Sequence, residues 1–521
     1  MISPSIRNIE IGESPTKYAD YLGSVHASSV ASEQKKANGQ FFTTPEIAHF
    51  MASNCGIDKE LIRILDPGCG TGVLTCALVE HLCLHNKATR EIRAVLYDID
   101  NQALEYASRS MEYLKEWCQK AKILLSYELK NSDFIIDNAD ALSPNISFFR
   151  KDEYFDIAIS NPPYFKLNKA DSRVQLAKQY VYGQPNIYSL FLLVSASLLN
   201  SKGELIFITP RSFTAGPYFK RFRDYFFQFV KLKQIHLFES RDKNFNRDKI
   251  LQENIIMFGM KNGVDKRHDY QVKISFSDHS NDAVGGHFSF NINKLVDFES
   301  EDKILHLPVS QAQVNTMTVF DRWKNTLQRF NIRVSTGPVV AYRNSNHILA
   351  TDTETKCAVP LIWLHNISKM TFKWPLQKQG KGQYISRNTE SQPFLVPNCD
   401  YVLLRRFSAK DDKSRLIASP YLSDLNGFDL LGLENHVNYI YRPKGKLLPE
   451  EIFGISGLLN STLFDTYFRT FNGNTQVSST EINNLPFPDI DTICEIGSTL
   501  RTLGSATQKQ IDDTVSNIIR V

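Results

Sequence analysis

Short apolar runs rich in β-branched residues alternate with helical patterns between Ile62 and Met260. Runs bounded by glycine and polar residues predict strands, and apolar residues three and four positions apart predict helices. Such alternation predicts an α/β fold with a mainly parallel sheet. A loop rather than a helix joins the last two strands, so we expect one of them to run antiparallel. The predicted strands are Ile62–Leu65, Arg93–Tyr97, Ile123–Ser126, Ile157–Ser160, Glu204–Ile208, Lys233–Leu237 and Asn254–Gly259, and the predicted helices include Gly72–His85, Asn101–Cys118 and Tyr188–Leu199.

The pattern changes beyond Lys261. Polar, linker-like sequence alternates there with short strands such as Gln271–Phe276 and Phe288–Asn291, and a helical stretch near Gln311–Phe330 leads into mixed, irregular sequence. A chain of 521 residues is longer than one hydrophobic core usually serves. We therefore expect two domains, with the junction between roughly 300 and 320.

Composition excludes several classes of protein. The net charge is +4 with a pI near 8.4, which is too mild to indicate nucleic-acid binding by itself. The eight cysteines form no C-x-x-C pair, so no zinc site of the usual spacing is predicted. The N-terminus has no apolar signal region, and the most apolar run, Ile187–Leu199, is too short to span a bilayer. We expect a soluble cytoplasmic protein with reduced thiols, no metal and no membrane partner.

The run Ile64-Leu65-Asp66-Pro67-Gly68-Cys69-Gly70-Thr71-Gly72 joins the first predicted strand to the first predicted helix. Glycines let a ligand approach the backbone at a helix N-terminus, the usual place for a nucleotide in such a sheet. A simple tight turn is the alternative. The carboxylate of Asp66 suits an ammonium group better than a pyrophosphate, and no Lys-Ser/Thr follows the glycines as in a P-loop.

Two further acidic positions define the ligand. Asp98 ends the second predicted strand, where a carboxylate is placed to accept both ribose hydroxyls. Capping of the next helix is the alternative role, and Asp100 suits it better. At the end of the third strand, Asp133 is placed to accept from an adenine amine and Phe134 to cover the ring. Together these residues predict a nucleoside carrying a cation, S-adenosylmethionine.

The fourth predicted strand ends in Asn161-Pro162-Pro163-Tyr164. A turn with a packed tyrosine is the structural alternative. An adenine amine is a poor nucleophile, and two acceptors on its hydrogens stabilise the charge that develops during attack. The Asn161 side chain and the Pro162 carbonyl are predicted to be these acceptors, and Tyr164 is predicted to stack on the base. A base in a duplex must leave the helix to reach such a site. Phe245 is the candidate for a second stacking surface, although an ordinary buried loop residue is equally consistent with its position.

These motifs resemble the gamma-class adenine-N6 DNA methyltransferases, which include TaqI-like and BsuBI/PstI-like modification enzymes. Gly39-Gln40-Phe41-Phe42-Thr43-Thr44-Pro45 resembles the N-terminal motif of the class, which implies cofactor contacts for Phe41 and Thr43. The remaining motifs of the class resemble the glycine loop with Gly68 and Gly70, then Asp98, Asp133-Phe134 and the tetrapeptide. The resemblance also implies a cofactor contact for Pro163. The resemblance covers roughly residues 39–260 strongly and the C-terminal half weakly.

The resemblance implies a Rossmann-like, S-adenosylmethionine-dependent catalytic domain over residues 1–310 and a mixed α+β target-recognition domain over residues 311–521. It also implies methyl transfer to adenine N6 at specific sites in double-stranded DNA, in the cytoplasm of a bacterium or archaeon. Asparagine before the two prolines favours adenine N6 over cytosine N4. The sequence contains no Pro-Cys dipeptide, which argues against cytosine-C5 chemistry.

Basic segments are candidates for contacts with DNA. Residues 211–250 carry ten lysines and arginines against four acidic residues, with ten aromatics among them, although Phe219, Phe222, Phe226 and Phe229 also suit a buried helix face. A second cluster contains Arg405, Arg406, Lys410, Lys413 and Arg415, of which Arg405 and Arg406 are the predicted DNA contacts, and a third covers Lys373–Arg387. A charge run is often only solvated surface.

Four alternatives use some of the same features. A protein-glutamine methyltransferase shares the tetrapeptide, but the long C-terminal domain and the Phe-Phe-Thr-Thr-Pro motif argue against it. An RNA methyltransferase is the second alternative. A DNA-binding subunit without activity is disfavoured because every chemical position is intact. A fused nuclease is disfavoured because the N-terminal segment is short. We therefore expect a monomeric modification enzyme, with any cognate restriction endonuclease acting separately.

Overall fold

The strands of the N-terminal half lie side by side in one nine-stranded sheet, in the order β3-β2-β1-β4-β5-β7-β6-β8-β9. A computed structural model describes residues 6–29, 43–142, 154–238, 254–262, 268–278, 281–351, 357–408, 412–423, 425, 427–473 and 475–521. The strands are β1 Leu61–Pro67, β2 Glu91–Asp98, β3 Leu124–Asn131, β4 Phe155–Ser160, β5 Leu199–Pro210, β6 Val230–Leu237, β7 Asn254–Lys261, β8 Gln271–Asp278 and β9 Asn281–Asn291.

Strands β1 to β5 are mutually parallel, whereas β7 runs antiparallel to both of its neighbours, β5 and β6. The expectation that one of the last two predicted strands is antiparallel is therefore confirmed. Strand β3 extends to Asn131, beyond the predicted end at Ser126. Strand β3 is an edge strand with one partner, so polar residues are tolerated along its outer half. The apolar run in the sequence therefore ends before the strand does.

Helices cover both faces of this sheet. Ile64 and Ile157 pack on one face with α2, α3 and α4, whereas their neighbours Leu65 and Ala158 pack on the other with α7 and α8. Burial on both faces explains why the central strands are almost continuously apolar. The helices of this half are α1 Pro15–Ser29, α2 Pro45–Ser53, α3 Val73–His85, α4 Asn101–Lys120, α5 Phe134–Asp137, α6 Ser172–Leu176, α7 Ile187–Ser197, α8 Lys220–Phe229 and α9 Ile292–Leu295.

The order of the strands reverses between β1 and β4. From β1 the chain proceeds outward through β2 and β3, and from β4 it proceeds in the other direction through β5. Helices that diverge from such a point leave a crevice at the carboxyl ends of the two strands, where ligands of α/β sheets bind. Asp66 at the end of β1 and Asn161 after β4 both lie at this edge.

The chain divides into two compact units, residues 1–309 and 310–521. The second unit is mixed α+β, with a four-stranded sheet (β10-β20-β17-β18), a five-stranded sheet (β11-β15-β12-β19-β16) and the pair β13-β14. Its strands are β10 Arg333–Thr336, β11 Ile348–Leu349, β12 Ala358–Ile362, β13 Ile367–Ser368, β14 Thr371–Phe372, β15 Tyr384–Ser386, β16 Leu395–Pro397, β17 Asp400–Arg405, β18 Ala418–Leu422, β19 Leu430–Leu433 and β20 Val437–Tyr441.

The second unit contains more helix than its sequence pattern indicates. Its helices are α10 Gln311–Phe320, α11 Pro449–Asn460, α12 Thr462–Arg469, α13 Ser479–Asn483, α14 Ile490–Leu503 and α15 Gln508–Ile519. Helices α11 and α14 approach so closely that a Cβ on Gly497 would lie 1.7 Å from the carbonyl oxygen of Glu450. Helix α10 ends at Phe320 rather than Phe330, and beyond it the main-chain carbonyl of Asn325 accepts from the N–H of the distant Phe487 at 2.8 Å instead of continuing the helix. In the part of the chain that the structure describes, no helix is both long and apolar enough to cross a membrane.

Candidate functional site

A glycine loop connects β1 to α3 at the point where the strand order reverses. Gly68, Gly70 and Gly72 have φ angles of +76°, +54° and +85°, a region in which other residues are strained. The backbone N–H groups of Gly68 and Cys69 both donate to the carbonyl of Tyr97 at the end of β2, at 2.8 and 2.9 Å. The loop is therefore fixed against the neighbouring strand while its outer edge borders a cavity of about 170 Å³.

Asp98 forms part of the cavity wall beside this loop. Its Oδ2 accepts a hydrogen bond from the Gly70 N–H at 2.8 Å, and its Oδ1 accepts one from the Asp100 N–H at 2.9 Å. Burial raises the pKa of Asp98, and these two hydrogen bonds act in the opposite direction. Asp100, as expected, caps α4 by accepting from the N–H groups of Gln102 and Ala103. Each Asp98 oxygen has a further lone pair and so retains acceptor capacity.

His26 of helix α1 is a member of the site that the sequence analysis did not identify. It lines the cavity, is 2% exposed, and places Nε2 3.0 Å from Asp100 Oδ2. Helix α1 also contacts the loop directly, because the Thr71 hydroxyl donates to the Ala19 carbonyl at 2.9 Å. No local motif marks His26, since its partners lie far along the chain. The N-terminal helix thus completes one wall of the cavity.

Asp133 and Phe134 follow β3, so they lie on the other side of the end of β2 from the glycine loop. Both line the cavity, and Phe134 packs against Tyr97 and Phe191 with ring centroids 5.2 and 5.4 Å apart. Asp133 caps the short helix α5 with Oδ1, and its Oδ2 lies 3.3 Å from Arg173 Nη1. The cap and the Arg173 contact are additional to the predicted adenine contact, which remains a prediction. Arg173 is a second cavity residue without a sequence signal.

Asp66 lies behind the loop rather than in the cavity wall. Its side chain is fully buried, Oδ2 accepts from the Thr75 hydroxyl at 2.7 Å, and Oδ1 has no hydrogen-bond partner. Burial raises the pKa of Asp66 to about 7. The described residues that line the cavity do not include it, so the predicted contact with an ammonium group is not evident in this structure.

The tetrapeptide after β4 brings a side-chain amide to the same cavity, since both Asn161 and Pro163 line it. Asn161 Nδ2 donates to the hydroxyl oxygen of Thr43 at 3.1 Å, and Thr43 is itself a cavity residue. The hydroxyl of Tyr164 donates to Asn161 Oδ1 at 2.5 Å and is also 3.0 Å from the carbonyl of Ile208. These contacts orient the amide, with its oxygen towards Tyr164 and its nitrogen towards Thr43.

Tyr164 is more enclosed than an open stacking surface would be. Its side chain is 7% exposed, it meets Tyr188 edge-on with ring centroids 6.2 Å apart, and burial raises the pKa of its hydroxyl well above the usual range. The proposed stacking on a base remains a prediction, whereas the contact of the hydroxyl with Asn161 is an additional role. Pro162 is also buried.

Known proteins are similar in sequence to this chain along nearly its whole length. The Eco57I restriction-modification methylase family matches residues 94–245. The type II methyltransferase M.BsuBI of Bacillus subtilis is 32% identical over 493 residues, which cover 94% of this chain and 95% of that protein. This chain belongs to the BsuBI/PstI-like modification methyltransferases. The predicted resemblance is thereby confirmed.

Two further known proteins are similar to this methyltransferase. The type II methyltransferase M.PstI of Providencia stuartii is 30% identical over 497 residues, covering 93% of each chain. A solved structure of a nuclease-deletion mutant of the type ISP restriction-modification enzyme LlaGI, in complex with a DNA substrate mimic, is 13% identical with a TM-score of 0.49, over 89% of this chain and 54% of that one.

The methyltransferase has the Rossmann-like fold and uses S-adenosylmethionine, and the cavity suits that molecule. Asp98 and Asp133 offer carboxylate oxygens for hydroxyl and amine hydrogens, while Phe134 and Phe191 offer apolar surface for a ring. A Cβ on Gly70 would meet no atom within 4 Å, so the backbone at that position is open to a ligand. Two basic residues of the wall contact acidic side chains, Arg173 with Asp133 and Asp171, and His26 with Asp100.

Two arginines of the first basic segment have structural roles. Arg223 is 1% exposed and donates to the main-chain carbonyls of Phe213, Gly216 and Asp302, so this residue is not a surface cation. Arg211 is also buried. The alternative role of the four aromatics in this segment was a buried helix face. Three of them are core residues, Phe219, Phe222 and Phe226, and Phe229 is partly buried.

The basic cluster in the second unit is only partly at the surface. Arg415 is 1% exposed, with Nε 3.0 Å from the Ser408 hydroxyl and Nη2 2.8 Å from Asn472 Oδ1, so it is not a surface cation as predicted. Arg405 and Arg406 are partly buried, and each donates to a main-chain carbonyl of its own unit, which leaves their DNA contacts as predictions. Phe41, Phe245 and Lys410 lie outside the described residues.

Proposed function

We propose that this enzyme transfers a methyl group from S-adenosylmethionine to the N6 amine of an adenine flipped out of double-stranded DNA. The supporting observation is that an oriented amide, Asn161, lines the same cavity as Asp98 and the glycine loop. The acceptor for a target amine and the acceptors for a nucleoside cofactor therefore border one space. The enzyme would act at specific sites, as the modification half of a type II restriction-modification system.

The chemistry requires acceptors for the two hydrogens of the target amine. The lone pair of an adenine amine is delocalised into the ring, and acceptors on its hydrogens stabilise the positive charge that develops as the nitrogen attacks. Asn161 Oδ1, which accepts from the Tyr164 hydroxyl, is one acceptor in this proposal, since an amide oxygen can accept two hydrogen bonds. The Pro162 carbonyl is the other. The contact of Asn161 Nδ2 with Thr43 sets which way the amide is turned.

S-adenosylmethionine, when bound, supplies an electrophilic methyl group. The chain positions the reactants: Asp98 accepts from ribose hydroxyls, Phe134 covers the adenine of the cofactor, and Asn161 orients the target amine. Direct displacement of this kind is governed by alignment and proximity of the two reacting atoms, so holding both in one cavity supplies much of the catalysis.

The test is expression in a bacterial host that lacks its own DNA methylation, followed by single-molecule sequencing of the host genome. We expect one short motif to carry N6-methyladenine throughout. Asn161→Ala should abolish the modification, whereas Asn101→Ala, which changes an exposed asparagine outside the cavity, should preserve it. A genome without modified adenine, from a folded protein that binds S-adenosylmethionine, would contradict the proposal and favour RNA or a protein glutamine as substrate. A motif that carries N4-methylcytosine would show that the target base is cytosine rather than adenine.

Assembly is part of the same proposal. We expect the enzyme to act as a monomer, with any cognate endonuclease as a separate protein. Light scattering on the purified protein, alone and with a duplex carrying the modified motif, tests this expectation, and a stable dimer would contradict it.

A further inference from the structure

The second unit contains an open groove of about 760 Å³ beside the turn formed by residues 377–383. The sequence of this turn is Gln-Lys-Gln-Gly-Lys-Gly-Gln. Lys378, Gln379 and Lys381 line the groove, together with Tyr342, which is 74% exposed. Among the described residues that line it there is no aspartate or glutamate. The groove therefore combines positive charge, amide groups and an exposed aromatic ring.

The base of the turn is rigid. The Lys381 N–H donates to the Lys378 carbonyl at 3.0 Å, and the indole N–H of Trp363 donates to the Gly382 carbonyl at 2.7 Å. Gly382 packs so closely that a Cβ there would lie 2.4 Å from the carbonyl oxygen of Leu349. A turn anchored in this way holds its tip in a constant position.

The tip of the turn, in contrast, is open. Gly380 has φ +71°, and a Cβ on it would meet nothing within 4 Å. Lys378 and Gln379 are exposed. The Lys381 ammonium lies 4.3 Å from the centroid of the Trp363 ring, and this cation–π contact restricts the side chain. The Lys381 side chain is both exposed and restricted, so it loses little conformational freedom when it binds a partner.

We propose that this turn is a DNA-reading element, with Gln379 directed at a base edge in the major groove and with Lys378 and Lys381 contacting phosphates. The proposal rests on the proposed function. The major groove admits a narrow two-stranded ribbon, and a glutamine amide matches the N6 and N7 groups of adenine. Lysines that neutralise phosphates supply affinity that depends on salt but carries no sequence information. The positive charge of the lining complements a polyanion.

The experiment compares two kinds of change in the full-length enzyme. The first variant, Lys378→Ala/Lys381→Ala, removes two charges from the groove, and its matched control, Lys446→Ala/Lys509→Ala, removes two exposed lysines of the same unit outside the groove. Binding to a short fluorescent duplex with the modified motif, and to a shuffled duplex, is measured over a range of salt. The groove variant should bind both duplexes about tenfold or more weakly, with a salt slope lower by about one to two.

The second variant, Gln379→Ala, tests base reading by sequencing of the modified genome. We expect the motif to become degenerate at one position, with discrimination there reduced roughly 5- to 100-fold. Lys378→Gln, which changes one exposed side chain, repeats the affinity test if the double variant does not fold. Affinity, salt slope and motif equal to those of the control would overturn the proposal. Weaker binding with an unchanged motif would overturn the base-reading role. A wild-type enzyme that modifies no DNA would contradict the proposed function instead, and binding to a duplex of arbitrary sequence over a range of salt would still test the charges of the groove.

Discussion

Replacement of Tyr164 by phenylalanine separates the two roles of this residue. Phenylalanine keeps a ring for stacking but removes the hydroxyl that contacts Asn161 Oδ1 and the Ile208 carbonyl. We expect kcat to fall while KM for DNA changes little, because Asn161 loses a positioning contact and the ring surface is retained. A hydrogen bond of this kind contributes about 1 kcal/mol net, which corresponds to about fivefold in rate.

Thr43→Val is the companion change on the other side of the amide. Valine keeps the shape of threonine but cannot accept from Asn161 Nδ2, so a loss of about fivefold is expected here as well. Both variants act through one side chain. The double variant should therefore lose less than the product of the two single losses, since contacts that share a partner are not additive.

The assay is steady-state methylation of a duplex that carries the modified motif, which yields kcat and KM for DNA, combined with the affinity for S-adenosylmethionine. Tyr182→Phe is the matched control, because Tyr182 is 59% exposed and lies outside the cavity wall. An unchanged kcat in Tyr164→Phe would refute the positioning role. A higher KM for DNA with normal kcat would mean that the hydroxyl serves substrate binding rather than the orientation of Asn161.

Three further changes test other parts of the structure. Asp98→Asn should weaken S-adenosylmethionine binding about tenfold in calorimetry, because an amide cannot accept from both backbone N–H groups that Asp98 now engages; unchanged affinity would remove Asp98 from the site. Arg415→Met should lower the free energy of unfolding by about 2 kcal/mol in urea, since it leaves the buried Oδ1 of Asn472 without its donor; a surface role would leave stability unchanged. Burial raises the pKa of Asp66 to about 7, so the folded protein holds a proton that the unfolded chain releases, and stability should fall between about pH 4 and 7 by roughly 1 kcal/mol per unit. Asp66→Asn should flatten that fall, and an equal slope in both proteins would contradict it.

Local sequence was sufficient to place Asp98 and Asn161 in one cavity, because both follow strands, but it did not reveal His26 or Arg173. Asp98 and Asn161 come directly after apolar runs, and in a parallel sheet the carboxyl ends of the strands meet at one edge. Their shared cavity could therefore be anticipated from their order alone. Asp100 could likewise be recognised as a helix cap, since capping depends on a spacing of two or three residues.

The second unit was less accessible to this reasoning. Its helices after Pro449 were expected to be irregular sequence, yet α11 and α14 form through close packing at Gly454 and Gly497. Glycine is a poor helix former by local preference. Its value at these positions depends on a neighbouring helix that local sequence does not reveal.

By itself, the sequence determined the fold class, the order of the motifs and the kind of chemistry, because these depend on residue type and short spacing. Only the tertiary structure decided which charges are available. His26 meets Asp100 across 74 positions, and Arg415 meets Asn472 across 57. The residue type states that a side chain is charged, but burial and distant partners determine whether that charge faces a ligand or stabilises the interior.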